Sequence, residues 1–279
     1  AALSALGQGL VAALVIWAFF GFRYSATNPA LPSALQFIRS WETIDANIGV
    51  QGKIIRALAA VHALPEAFLY GCAYVIESAQ VRAAFLNREF SITGWPMFFP
   101  WTFLLKTTIP LLGACGLLAG LGVRRWWRQP KLLRGDIYPF TPLIALFVIY
   151  WVISVRSHLN IGHRHIMPTY PVLFIAAGAL GAWVVAHGRA AAAVVAVLLG
   201  WHATEAVRIA PYYLAYFNQL GGGPAEGHRH LVDSSLDWGQ DLPTLARWLE
   251  QNAKNEQLYL SYFGTGSPSY YGIRARLLT

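Results

Sequence analysis

A group of basic residues and histidines near the middle of the chain has the chemistry of an anion site. His163, Arg164 and His165 are consecutive, and Asn160 and Gly162 precede them in a short turn between two apolar stretches. Arginine presents a planar set of donors suited to phosphate oxygens, and histidine adds donors or exchanges protons. The alternative is a charged segment that only ends the two helices and anchors them at the membrane interface. Such a segment would not need two histidines around the arginine. The pattern therefore favours binding of an anionic group.

Lys106 is a second candidate cation, after Arg164, because burial of its charge in an apolar stretch costs free energy. It lies one to two turns inside an apolar stretch that begins with the aromatic run at 95–101. A charge buried in a membrane is a functional candidate by default. A lysine at this depth also reaches the interface by extending its side chain. Both interpretations stay open at this point.

A third polar group follows the last apolar stretch. The residues that would contact a substrate or shape a loop there are Asn218, Asp233, Asp237, Gln240 and Asp241. The alternating oxygens resemble a calcium loop, but Trp238 occupies the glycine position and Thr244 replaces the bidentate glutamate. Asx turns and a helix cap explain the pattern better, so a structural loop is predicted.

Zinc is the competing chemistry for the histidines. His158, His163 and His165 have ligand character, and a second His-Arg-His begins at His228. No cysteine or carboxylate completes a familiar ligand spacing, and an arginine between ligands repels a cation. No metal is therefore expected. The two cysteines, Cys72 and Cys115, have apolar neighbours and are predicted to be packed thiols.

The elements that must position these residues belong to a membrane protein. Of 279 residues, 56% are hydrophobic and 12% are charged. Soluble domains carry about 25% charged residues. The mean hydropathy of +0.43 agrees. We therefore predict a mainly α, polytopic helical membrane protein with interfacial helices.

Long apolar runs predict about five transmembrane helices within a domain covering 1–208. Their ranges are about 3–22, 100–123, 138–155, 167–186 and 190–207. The loop 24–99 is rich in glycine, proline and charge, which predicts an extramembrane loop with interfacial or re-entrant helices. A further span over 57–76 is the alternative there.

The charge distribution sets the predicted sidedness. Basic residues cluster in the segment 124–134, which the positive-inside bias places in the cytoplasm. The turn at 158–166, the loop 24–99 and everything after 209 then lie on the outer face. Topology explains the net charge of +8, so no nucleic acid is expected as a partner.

The segment 209–279 differs in kind from the apolar runs. The stretch from Asp241 to Asn252 predicts an amphipathic helix with Asp241 as its N-cap. Alternation from Gln257 to Phe263 predicts a strand. A helix leading to a strand predicts the start of a small α/β extracytoplasmic domain. We expect the chain to be part of a longer polypeptide.

Several of these segments together carry a family resemblance. The chain from about residue 60 onward resembles the C-terminal half of bacterial family 39-like, GT-C-type membrane glycosyltransferases, which are related to protein O-mannosyltransferases and to the aminoarabinose transferase of lipid A. The segments that carry the likeness are Gly94-Trp-Pro-Met-Phe-Phe-Pro, Leu105-Lys-Thr-Thr-Ile-Pro, Leu159-Asn-Ile-Gly-His-Arg-His-Ile-Met-Pro-Thr-Tyr-Pro, Tyr216-Phe-Asn, Gly222-Gly-Pro and Asp233-Ser-Ser-Leu-Asp-Trp-Gly-Gln-Asp-Leu.

The resemblance implies a multi-pass transferase in the bacterial cytoplasmic (inner) membrane, in contact with membrane lipids. Its donor substrate would be a polyprenyl-phosphate-linked sugar, its acceptor stays unknown, and no cofactor is certain. Lys106 and Arg164 would contact the donor phosphate, with His163 and His165 nearby. The catalytic base would lie upstream of Ala1, so the catalytic residue of this chain is unknown.

Two other functions compete with this expectation. The first is a non-catalytic scaffold subunit of a larger membrane assembly, which the missing base favours. Glu42 and Asp45 are the acidic residues nearest to the membrane loop, and neither is assigned as the base. The second is a transporter, which is disfavoured because the polar groups gather on one face instead of near the bilayer midplane.

Overall fold

A computed structural model describes residues 2–27, 37–129, 138–254, 256–262 and 264–278. The chain is mainly helical and divides into two compact units, Ala1–Arg82 and Ala83–Thr279. This division differs from the predicted boundary at 208/209, which separates membrane from extramembrane chain and stays a prediction. Lys131 and Arg134 of the predicted basic loop, and residues 28–36 of the predicted outer loop, lie outside the described residues.

The first unit consists of four helices. They are α1 (Ala2–Phe19), α2 (Trp41–Asn47), α3 (Gly49–Ala60) and α4 (Glu66–Ser78). The last three pack around a small core of Ile44, Ile48, Ile55, Leu69 and Ala73. Residues 57–76 are divided between α3 and α4 by a turn that leads into Pro65, so this stretch is not one spanning helix. The segment 24–99 thus contains helices, and their placement outside the membrane stays a prediction.

The second unit begins with a hairpin and a sharply bent pair of helices. Strands β1 (Ala84–Leu86) and β2 (Glu89–Ser91) pair antiparallel, and α5 (Phe98–Lys106) and α6 (Ile109–Arg128) follow. The two helix axes differ by 111°. The predicted span over 100–123 therefore contains a break at 107–108, and its passage across the membrane stays a prediction. Pro110 contributes to the break because it lacks the N–H that would continue the helix.

Three of the described helices are long and apolar enough to cross a membrane. They are Tyr138–Arg156, His163–His187 and Arg189–Ile209, and the bent α5–α6 pair is a fourth if counted as one span. They contain α7 (Thr141–Arg156), α8 (Tyr170–Gly178), α9 (Leu180–His187) and α10 (Arg189–Ile209). Only 6–11% of each apolar window is buried within the protein. Apolar helices this exposed need an apolar surrounding, which indicates a membrane protein.

Predicted and observed helices differ at the first span. Helix α1 ends at Phe19, short of the predicted end at 22, and is shorter than the three long helices. The predicted spans 138–155, 167–186 and 190–207 coincide with helices to within a few residues. A 3₁₀ segment at His163–Thr169 extends the helical run ahead of α8 to the cationic turn.

The C-terminal segment contains the predicted helix and strand. Helix α11 covers Leu242–Asn252, and β3 (Leu258–Leu260) pairs in parallel with β4 (Ala275–Leu277). Asp241 occupies the N-cap position, but its side chain makes no capping hydrogen bond, so its predicted capping role is wrong. Phe263, the predicted end of the strand, lies outside the described residues.

The core of the second unit brings distant segments together. It joins the hairpin, α5, the 3₁₀ segment and the loops that follow α10. Its buried members are Leu86, Phe98, Phe99, Leu105, Ile166, Phe217 and Leu231. This core fixes the cationic turn and the later polar loops against α5.

Candidate functional site

Lys106 ends α5 at the bend, and its side chain reaches the loops after α10. Its Nζ donates to the carbonyl oxygens of Leu214 (2.7 Å) and Ser235 (2.5 Å) and lies 4.3 Å from the centroid of the Phe217 ring. No salt bridge joins it to a carboxylate among the residues described. An ammonium group has three donors, so one remains for a ligand.

His163 lies beside Lys106 and shares Ser235 with it. The His163 main-chain N–H donates to Ser235 Oγ at 3.1 Å. Its Nε2 lies 2.8 Å from the hydroxyl of Tyr170, which lies 2.5 Å from Thr107 Oγ1. The remaining ring nitrogen, Nδ1, is buried and has no partner in the described part of the protein. A buried polar atom without a partner is uncommon in a native structure, so His163 Nδ1 is a candidate contact for a ligand.

Arg164 extends this cationic surface outward. Its guanidinium carbon lies 4.6 Å from the centroid of the Trp238 ring, and the residue is exposed. Stacking on an aromatic ring leaves the in-plane N–H donors of the guanidinium available for an anion. Lys106, His163 and Arg164 are thus held by one loop, 233–238, which supplies both Ser235 and Trp238.

The loop 233–241 is held together by its own side chains. Asp233 Oδ1 accepts from the N–H of Ser234 at 2.6 Å, and Asp237 Oδ1 accepts from the N–H of Gly239 at 2.7 Å. Gln240 Oε1 accepts from the main-chain N–H of Trp238 at 2.6 Å. These side chains thus form local turns, and the choice between a structural loop and a substrate contact stays a prediction. Burial and the neighbouring Asp237 carboxylate raise the pKa of Asp241.

The same loop is attached to the cationic turn. Ser234 Oγ donates to the carbonyl oxygen of Ile161 at 2.6 Å. Gly162 leaves room for this contact, since a Cβ there would lie 2.5 Å from Ser234 Oγ. On the other side of the turn, Asn160 Oδ1 accepts from the N–H of Trp95 at 2.6 Å. The turn is therefore clamped between the chain ahead of α5 and the loop 233–241.

A cavity of about 420 Å³ opens between these segments. Its apolar walls come from the hairpin, α5 and Leu236, and Asp233 and Asp237 contribute its carboxylates. Both acids already use one oxygen within the loop. A cavity of this size is large enough for part of a small-molecule ligand.

Two predicted site residues lie apart from this arrangement. Asn218 is fully buried, and its Nδ2 donates to the carbonyl oxygens of Leu104 and Thr107, each at 2.7 Å. It holds the bend between α5 and α6 and has no exposed surface for a substrate. His165 packs towards Phe99, with ring centroids 6.4 Å apart. Its predicted phosphate contact has no support in this arrangement and stays a prediction.

Sequence reasoning missed three residues of the site. Tyr170 lies seven residues after His163 in one helical run, so helical periodicity predicts that the two share a face. Ser235 and Phe217 approach Lys106 only through tertiary structure, because Ser235 is 129 residues away along the chain. No local pattern marks them. Comparisons of the chain with protein families, with curated proteins and with solved structures each give no match.

Proposed function

We propose that this chain is the C-terminal portion of a multi-pass membrane glycosyltransferase of the GT-C type. It moves a sugar from a polyprenyl-phosphate-linked donor to an acceptor on the extracytoplasmic face. The observation that carries the proposal is the state of Lys106. A half-buried ammonium group with two carbonyl partners and no paired carboxylate in the described structure needs an anion, and His163 and Arg164 lie beside it.

The proposed chemistry is electrostatic. When the sugar leaves, the departing lipid phosphate gains negative charge, so fixed cations stabilise the transition state more than the ground state. Lys106 and Arg164 supply those cations. The Tyr170 hydroxyl and the loop 233–238 hold His163 and Arg164 in place, which limits the reorganisation needed during transfer.

In this proposal, a part of the enzyme outside this chain supplies the catalytic base. An acceptor hydroxyl needs a carboxylate base. Asp45 forms an ion pair with Arg56, and Asp233 and Asp237 hold turns. Because these three carboxylates already have structural interactions, they give specific support to the second candidate function, a non-catalytic scaffold subunit of a larger membrane assembly.

Membrane placement follows from the apolar helices and the cationic turn. The long helices cross the bacterial inner membrane, and the turn at 158–166 and the segment after 209 lie outside. Arg124, Arg125 and Arg128, at the end of α6, lie on the cytoplasmic side under the positive-inside bias. In this proposal Lys106 and Arg164 lie at the outer membrane edge, where a lipid phosphate is found.

Binding of undecaprenyl phosphate by the protein in nanodiscs tests the phosphate site. Lys106→Met and Arg164→Gln are each expected to weaken binding about tenfold or more, because each removes a charge-assisted contact. Lys53→Met and Arg82→Gln are matched controls, since both residues are exposed. Native mass spectrometry measures the bound fraction, and circular dichroism checks that each variant stays helical.

Sugar transfer by the full-length protein then separates the two functions. Transfer from a polyprenyl-phosphate sugar that disappears in Lys106→Met and persists in Lys53→Met supports the enzyme. Lipid-phosphate binding without any transfer supports the scaffold. Equal binding by wild type and both site variants contradicts the phosphate site itself.

A further inference from the structure

A second cavity of about 420 Å³ lies at the C-terminal end of α10. It is formed by the last turns of that helix and the loop 216–224, away from the loop 233–241. Its lining includes Glu205, Arg208, Gln219, Tyr216 and Phe217. Charged, amide and aromatic groups thus line one space, and the phosphate site described above uses none of the polar ones.

Glu205 is the unusual member of this cavity. It lies within one of the long apolar helices, and only 8% of its surface is exposed. Its Oε1 accepts from Trp201 Nε1 at 2.9 Å and from Gln219 Nε2 at 2.5 Å. An acidic residue in an apolar helix is costly, and its retention indicates a functional role. The two donors hold its carboxylate in one orientation.

Arg208 contributes a cation that the carboxylate does not neutralise. It lies one turn after Glu205 and is exposed, and no salt bridge of 4 Å or less joins the two in the part of the chain described. The guanidinium therefore keeps its donors for a ligand in the cavity. A carboxylate and a guanidinium on one small cavity suit a ligand that both donates and accepts hydrogen bonds.

Aromatic side chains complete the cavity. Burial and the Glu205 carboxylate raise the pKa of Tyr216, so its hydroxyl stays a donor at neutral pH. Phe217 borders the cavity from the core, with only 1% of its surface exposed, and Gly222 and Gly223, with φ of +74° and +78°, carry the chain around the opening. Left-handed backbone of this kind favours glycine over any residue with a Cβ.

We propose that this cavity binds a hydroxyl-rich ring, such as the sugar unit of a glycoside. Vicinal hydroxyls donate to a carboxylate and accept from a guanidinium or an amide, which matches Glu205, Arg208 and Gln219. A purely apolar occupant such as a lipid tail would leave the carboxylate and the guanidinium without partners, at a cost in free energy.

Phe217 links this cavity to the phosphate site. The ring that lines the cavity is also the ring over which the Lys106 ammonium lies, at 4.3 Å from its centroid. Phe217 thus borders both the cavity and the Lys106 ammonium group. This assignment rests on the proposed function, because it identifies the cavity as the place for the sugar of that substrate.

Simple glycosides without any phosphate or lipid test the cavity alone. Methyl α-D-mannopyranoside and methyl β-D-glucopyranoside are titrated into the protein in nanodiscs. Saturation-transfer NMR measures binding, and Trp201→Phe shows which part of any tryptophan fluorescence change comes from the indole that bonds Glu205. We expect saturable binding that Glu205→Gln weakens about tenfold, the scale of one hydrogen bond to a charged group.

Controls keep the assignment falsifiable. Glu89→Gln is the matched control, because Glu89 is an exposed carboxylate on β2. Arg208→Met serves if Glu205→Gln unfolds, since Arg208 is exposed, and it should weaken glycoside binding. Lys53→Met should leave glycoside binding unchanged, because Lys53 is an exposed cation outside the cavity lining.

Three results overturn the assignment. They are no saturable binding of either glycoside at the highest soluble concentration, equal binding by wild type and Arg208→Met, and displacement of the glycosides by a free amino acid. None of them affects undecaprenyl phosphate binding. Failure of the sugar cavity and failure of the phosphate site are therefore distinguishable.

Discussion

Replacement of Asn218 with alanine should destabilise the bend that positions Lys106. The Asn218 side chain makes two donor contacts of 2.7 Å, to the carbonyl oxygens of Leu104 and Thr107, on either side of the helix end. Its Oδ1 accepts from the N–H of Leu220 at 3.0 Å. Its exposed fraction is 0%, so water does not replace these contacts.

The magnitude follows from the groups left without partners. A buried donor or acceptor that loses its partner costs about 1–3 kcal/mol. Two carbonyl oxygens lose their side-chain donor in Asn218→Ala, so the free energy of unfolding should fall by about 2–5 kcal/mol. The main-chain bond from the Asn218 N–H to the Leu105 carbonyl, at 2.9 Å, survives the substitution.

Thermal unfolding in nanodiscs, followed by tryptophan fluorescence, measures the change. Asn252→Ala is the control, because Asn252 Nδ2 also donates to a main-chain carbonyl, that of Trp248, at 2.8 Å but on an exposed surface. Asn218→Asp should lose nearly as much as Asn218→Ala, since an acceptor would then face both carbonyls. Equal losses for Asn218→Ala and Asn252→Ala would refute the reasoning.

Two other substitutions test the surroundings of the site. Gly94→Ala should lower the free energy of unfolding by about 1–3 kcal/mol, since Gly94 has φ of +69° and a Cβ would collide with the Asn160 side chain; an unchanged melting temperature would contradict this. Burial and, to a smaller extent, the Asp237 carboxylate raise the pKa of Asp241 above its ordinary value of 3.8. The Asp241 side chain therefore stabilises the folded protein below pH 3.8, and this stabilisation is lost as the pH rises through the folded-state pKa. Between pH 4 and pH 7 the free energy of unfolding should therefore fall less in Asp241→Asn than in the wild type, as equilibrium unfolding at the two pH values measures. An equal fall in both proteins would exclude the effect.

The long helices were predictable because their signal is local. An apolar run of about 20 residues specifies a helix whatever it packs against. Helices α7 and α10 follow this rule closely. The bend at Lys106 was not predictable in the same way, because apolar composition continues across it. Pro110 gives a local reason for a break, but the buried contacts that fix its position come from Asn218, more than 100 residues later.

In the candidate site, too, some residues are predictable from the sequence and their contacts are not. Lys106, His163 and Arg164 stood out because charged groups among apolar residues cost free energy, and that cost is visible in the sequence. Glu205 meets the same criterion within α10 and was overlooked. The contacts that give these residues their arrangement, above all those of Ser235, depend on tertiary folding, which spacing along the chain does not encode.

Ser235 explains why the cations and the loop 233–241 behave as one site. Its carbonyl oxygen accepts from Lys106, and its hydroxyl accepts from the main chain of His163. One residue thus fixes both the ammonium group and the start of the cationic turn. Its own position depends on the Asp233 and Asp237 turns, so these acids act on the cations through backbone geometry. This accounts for acidic residues beside the proposed anion site, since they shape the loop that holds the cations.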